Sequence, residues 1–153
     1  MLVAIIKIRG SVGVRQKIKD NLNMLCLTEN NHCSIYKDSK TLQGMLKKGK
    51  DYITWGYIDD KTLRLILKKR ARLPGNKRLT DEWLKEHNLT LDKLVDMFKK
   101  DPKSVYALGI KKVFRLSPPS KGFGKVGIKY PITQGGALGD RKDKINLLLK
   151  RMI

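Results

Sequence analysis

Cysteine occurs only twice in the 153 residues, at Cys26 and Cys33, so no disulfide framework organises this fold. In a cytosolic chain two reduced thiols are expected, with a single bridge as the alternative. Histidine is equally scarce. His32 adjoins Cys33 on a predicted strand, where consecutive side chains point to opposite faces and cannot pair as nucleophile and base. His87 stands alone beside Glu86, and adjacent helical residues do not face each other. No H-E-x-x-H and no C-x-x-C is present, so metal chemistry has no ligand set, and no cofactor is expected. Long apolar runs are missing too: Leu2 to Ile6 stops at Lys7, far short of the roughly 20 residues of a spanning helix. No secretory-type apolar region with a small-residue cleavage site is visible. A cytoplasmic chain without a membrane partner is expected.

Acidic residues are the last scarcity. Fourteen Asp and Glu face 34 Lys and Arg, a formal charge of +20. A compact chain with that much self-repulsion calls for a polyanionic partner, nucleic acid first and an anionic membrane second, and argues against a metabolic enzyme with a small-molecule substrate. A hydrophobic fraction of 41% nevertheless supplies a core, which a disordered basic tail would lack.

Residues 1–58 switch between two periodicities. Leu2, Ala4, Ile6 and Ile8 share one strand face, and Val3, Ile5 and Lys7 the other. Ile18, Leu22 and Leu25 form a helical stripe. Cys33 and Ile35 alternate with Ser34 and Tyr36 as a second strand, Ser39 or Thr41 caps a helix through Leu42 and Leu46, and Tyr52 to Ile58 makes a third strand. Strand–helix–strand–helix–strand predicts an α+β core with helices on one sheet face. From 59 to 153 the chain predicts a mainly helical extension. Its helices lie around Leu63 to Leu67, after Thr80 with Trp83 as core anchor, after Thr90, after Asp101-Pro102, and from about Asp140 to the end. Lys112 to Leu116 reads as extended, and Ser117 to Gly136 as a proline- and glycine-punctuated loop.

The positive charge is uneven. Residues 1–58 hold ten Lys and Arg against four acids, net +6, whereas 59–153 hold 24 against ten, net +14. From Lys61 to Arg78 there are eight cations and no acid, which points to phosphate contact rather than helix-face pairing. Gly122 to Gly127 spells G-x-G-x-x-G, but Pro118-Pro119 precedes it and Pro131 follows, so no dinucleotide-binding helix opens. Its glycines would instead let Lys121, Lys125 and Lys129 lie against a sugar-phosphate surface, with a plain flexible loop as the alternative. The turn Arg9-Gly10-Ser11-Val12-Gly13 leads into a helix whose N–H groups could hold a phosphate between Arg9 and Arg15; a plain tight connection reads equally well. Trp55 and Tyr57 either stack on unpaired bases or lie under the helices.

Ile6-Lys7-Ile8-Arg9-Gly10-Ser11-Val12-Gly13, Gly44-Met45-Leu46 and Asp51-Tyr52-Ile53-Thr54-Trp55-Gly56 closely resemble the core of the large-subunit ribosomal protein thirty family. Phe114-Arg115-Leu116-Ser117-Pro118-Pro119 with Gly122-Phe123, then Gly135-Gly136 and Leu138-Gly139, is similar to that family's archaeal long form, related to the eukaryotic large-subunit protein seven. The resemblance implies a ferredoxin-like β-α-β-α-β core with a three-stranded antiparallel sheet over 1–58, and an archaeal-type extension over 59–153 packed on it. It also implies a structural, non-enzymatic role: binding and stabilising folded large-subunit rRNA beside neighbouring ribosomal proteins. Combined with the charge pattern, it makes Lys7, Arg9, Ser11, Arg15 and Lys17 candidate RNA contacts in the first segment. The basic run adds Arg64, Lys68, Lys69, Arg70, Arg72, Lys77 and Arg78, and the tail adds Arg115, Lys121, Lys125, Lys129 and Arg141. The rival reading is an RNA-processing or RNA-modifying enzyme on the same scaffold, which would need a convergent histidine or carboxylate set that the sequence does not show.

Overall fold

The computed structural model describes residues 1–124 and 126–153. Strand β1 (Leu2–Lys7) is the central strand, flanked antiparallel by β2 (His32–Lys37) and β3 (Ile53–Tyr57). Helices α1 (Gln16–Met24) and α2 (Lys40–Gly49) connect them. The α+β expectation for 1–58 is met in element type and order. Among the described residues, however, the sheet has five strands. β4 (Phe114–Arg115) pairs antiparallel with the start of β2, and β5 (Gly139–Asp140) pairs parallel with β3, giving the order β4-β2-β1-β3-β5. Two-residue strands carry no detectable alternation, so only tertiary pairing reveals them.

Every residue of β1 is buried because both faces of the sheet are covered. Val3 and Ile5 pack with Leu22, Leu25, Leu42, Leu46 and Ile53 beneath α1 and α2. Leu2, Ala4 and Ile6 face the opposite way, into a larger cluster built by the extension: α3 (Asp60–Arg70), α4 (Asp81–Glu86), α5 (Leu91–Lys100), α6 (Pro102–Ala107) and α7 (Ile145–Met152). Each large aliphatic side chain fully buried here contributes roughly 1.5–3 kcal/mol. The two-sided burial explains the near-continuous apolar run of β1.

Side-chain caps mark the helix starts. Ser39, Asp59, Thr80, Thr90 and Asp101 each accept a backbone N–H of the first turn. Two expectations shift, the start of the last helix and the anchor of α4. The last helix begins at Ile145 after a 3-10 turn over Lys142–Lys144, not near Asp140, because Asp140 is taken into β5 and its carboxylate accepts the Lys142 N–H at 2.8 Å. Helix α3 stops at Arg70, and the Pro74-Gly75 pair that breaks the helical pattern lies in a separate 3-10 turn over Pro74–Asn76. Trp83 is only half-buried and stacks on His87 at 4.0 Å between ring centroids, while Leu84 supplies the buried anchor of α4.

Gly56 lets the chain close over β3: a Cβ there would stand 2.1 Å from the Lys142 carbonyl oxygen. No helix among the described residues is long and apolar enough to cross a membrane.

Candidate nucleic-acid interface

The carboxyl end of β1 organises the candidate site. Past Lys7 the chain leaves the sheet, and the Ile8 and Arg9 N–H groups both donate to the Tyr52 carbonyl, at 2.9 and 3.2 Å. That contact aims the Arg9-to-Gly13 turn off the sheet's end. The Arg9 guanidinium lies 5.3 Å from the Tyr52 ring centroid and donates to the Asp51 carbonyl at 3.3 Å. A cation over an aromatic face is held in orientation while staying accessible to an anion.

The long loop returns to this same end. Leu116 N–H donates to the Asn31 carbonyl at 3.1 Å, and Arg115 pairs with His32 in the β4–β2 ladder. Ile8 packs with Ala137, Leu138 and Phe123. The glycines of the loop serve its own packing as well: a Cβ on Gly136 would meet the Tyr130 carbonyl oxygen at 2.1 Å, and one on Gly124 the Gly135 carbonyl oxygen at 2.9 Å. Two segments more than a hundred residues apart thus meet at one end of the sheet. The C-terminal end of α3 adjoins them, since Arg70 donates to Ser117 Oγ at 2.6 Å.

The candidate cations divide by environment. Lys7 is buried, 1% exposed, and its Nζ donates to Ser11 Oγ at 2.6 Å and to the Thr28 carbonyl at 2.5 Å. Burial holds its pKa below the ordinary lysine value, with Glu29 partly opposing. Arg70 also donates to the C-terminal Ile153 carbonyl at 2.7 Å. Arg141 is half-buried, donating to Thr54 Oγ1 and the Ala137 carbonyl, both at 3.1 Å. Its pKa is lowered by burial and then by Arg151. These three charges act within the fold: Lys7 ties the turn and the loop before β2 to β1, Arg70 ties α3 to the long loop and the C-terminus, and Arg141 ties its own segment to β3. Arg64 forms an exposed ion pair with Asp92 at 3.0 Å, supplied by α5 and so invisible within the acid-free run; such a pair contributes about 0–1 kcal/mol.

The others face outward. Arg15, Lys17, Lys68, Lys69, Lys77, Arg78, Arg115, Lys121 and Lys129 are exposed, and none makes an ion pair among the described residues. Arg9, Ser11 and Arg72 are half-exposed, and Lys125 lies outside the described residues. Arg151, absent from the sequence-based candidates, fastens the loop by donating to the Ser120 carbonyl at 2.7 Å and to that of Gly122. Its acceptors are backbone oxygens some thirty residues away, so no motif announces it.

The remaining candidates sort equally plainly. His32 is buried, with Nδ1 3.3 Å from the Glu29 N–H; burial chiefly lowers its pKa. Cys33 projects into the other cluster, its thiol pushed up to about 12 by burial. Cys26 and Cys33 are both free. Trp55 and Tyr57 are half-buried against the α1–α2 side, where the Tyr57 hydroxyl donates to Asp38 at 3.3 Å.

Comparison with known proteins identifies the family. Residues 3–53 match the family model described as ribosomal protein L30p/L7e. The large ribosomal subunit protein uL30 of Nanoarchaeum equitans is 46% identical over 153 residues, covering 99% of each chain. That of Methanococcus maripaludis is 46% identical over 154 residues and all of both chains, and that of Methanopyrus kandleri 42% identical over 95% of this chain. This chain therefore belongs to the L30p/L7e family of ribosomal proteins, as a structural constituent of the large subunit and not an enzyme.

Proposed function

We propose that the chain binds and stabilises folded large-subunit rRNA through the carboxyl end of β1, as part of the cytoplasmic ribosome and beside neighbouring ribosomal proteins. The observation that carries the reading is the convergence of the Arg9-to-Gly13 turn and the Ser117-to-Gly136 loop on one end of the sheet. There Arg15, Lys17, Arg115, Lys121 and Lys129 are exposed without an acidic partner among the described residues. A phosphate surface supplies the missing counter-charge, and the rigid sheet fixes the spacing of the cations.

The start of α1 supports the same reading. Its N-cap is Arg15, with no side-chain hydrogen bond to the first turn and no acid in that turn. The five helix starts from α2 to α6 each carry a Ser, Thr or Asp cap. An uncapped N-terminus beside an arginine suits an anion. Recognition rests on the shape and 2′-hydroxyls of the folded RNA more than on base edges. Competition tests it: deproteinised large-subunit rRNA displaces a labelled rRNA fragment from the protein at lower concentration than duplex DNA of equal phosphate content. Equal displacement contradicts shape-selective binding.

A further inference from the structure

The groove between α2 and α6 carries a second interaction surface. Tyr36, Leu42, Met45 and Tyr106 build its apolar floor, and its volume is about 870 Å³, within the roughly 300–1,000 Å³ of sites that bury ligands. Met24 is 65% exposed at its mouth, and methionine adapts its shape to a partner's side chains.

The charges at the rim have unequal standing. Asp38 accepts from Gln43 at 3.2 Å and from the Tyr57 hydroxyl at 3.3 Å. Asp101 accepts from the Lys103 N–H at 3.1 Å and from Ser104 Oγ at 3.2 Å, capping α6. Both carboxylates are thus engaged within the fold. Lys37, Lys103 and Lys112 line the same groove and are exposed, with Lys112 Nζ 6.0 Å from the Tyr106 ring centroid. Both carboxylates keep their charge, so the rim carries three ammonium groups against two carboxylates whose oxygens already accept hydrogen bonds within the fold.

We infer that this groove docks a segment of a neighbouring protein that carries apolar side chains flanked by Asp or Glu. An apolar floor is a poor match for a sugar-phosphate backbone, and the ammonium rim selects acidic flanks among proteins. Strand addition is closed off. β4 pairs with β2 only at His32 and Cys33, and the Ile35 carbonyl accepts the Tyr106 hydroxyl at 2.8 Å. Side chains, not a shared ladder, therefore make the contact. The groove takes in Lys37, at the opposite end of β2 from the His32–Arg115 pair, so it stays open when the basic end is occupied. The inference stands independently of the RNA reading.

Photocrosslinking in assembled large subunits tests it, with p-benzoylphenylalanine in place of Met24 in the full chain. The expected adduct is a ribosomal-protein segment with apolar residues next to Asp or Glu. Adding Lys37→Glu and Lys103→Glu is expected to cut its yield about fivefold to tenfold, the scale of two surface ion pairs, with the thermal midpoint unchanged. An adduct on rRNA, an adduct on a segment lacking acidic flanks, no adduct, or an unchanged yield in the charge-reversed variant each overturns the inference. The same photoprobe in place of Lys17 reports rRNA contact separately, so failure at the groove is distinguishable from failure of the RNA reading.

Discussion

Lys7 Nζ sits 2.6 Å from Ser11 Oγ and 2.5 Å from the Thr28 carbonyl, joining the first turn to the loop that precedes β2 from inside the protein. The side chain shares the face of Val3 and Ile5, so its ammonium serves the fold instead of solvent. Lys7→Met removes both bonds and leaves their acceptors unpaired. The unfolding free energy in urea is expected to fall by about 1.5–3 kcal/mol, the range for hydrogen bonds to charged groups. RNA affinity falls with it because the turn loosens, yet the salt dependence keeps its slope. A shallower slope would show that Lys7 itself neutralises a phosphate.

His32 gives the fold a pH dependence with a definite sign. Burial chiefly depresses its pKa below 6.5 in the folded state, so the unfolded chain takes up this proton first as pH drops. Stability is therefore lost as pH falls through 6.5 toward the folded value, and levels off for this group below it. Urea unfolding at a series of pH values from 8 to 5 is expected to show a steeper decline for the native chain than for His32→Gln. Parallel curves would remove His32 from the account.

Gly56 faces the Lys142 carbonyl so closely that a methyl group has no room. Gly56→Ala forces the 3-10 turn and α7 away from β3, and is expected to cost about 3 kcal/mol, the upper end for overpacking. Denaturant titration measures it. A loss under 0.5 kcal/mol would mean that the turn over Lys142–Lys144 moves freely.

The C-terminal end of α3 separates contact from support. Lys68 and Lys69 are exposed, whereas Arg70 holds Ser117 and the C-terminal carbonyl of Ile153. The double variant Lys68→Glu, Lys69→Glu is expected to weaken binding to large-subunit rRNA while the thermal midpoint stays within a degree or two. Arg70→Glu lowers both. Unchanged RNA binding in the double variant would make that face merely solvated.

Much of this was legible in the chain. The alternation of Leu2 to Lys7, the stripe through Leu22 and Leu25, and the caps at Ser39, Asp59, Thr80, Thr90 and Asp101 have local causes that a sequence exposes. What was hidden is non-local. β4 and β5 are too short to alternate, and Asp140 resembles an N-cap although pairing with Trp55 draws it into the sheet. The interior roles of Arg70 and Arg141 depend on carbonyls and hydroxyls brought in by tertiary folding, which leave no motif. Lys7 was the exception with a signal: a lysine on a strand face otherwise filled by Val3 and Ile5 belongs under the same helices.

The most direct test of the central claim is the slope of log K against log salt for binding to large-subunit rRNA, compared between the native chain and Arg115→Gln with Lys121→Gln. If the end of the sheet holds phosphates, the slope becomes shallower by roughly 0.7–0.9 for each cation removed, with stability unchanged. An identical slope in the two proteins would place the RNA elsewhere and contradict the account.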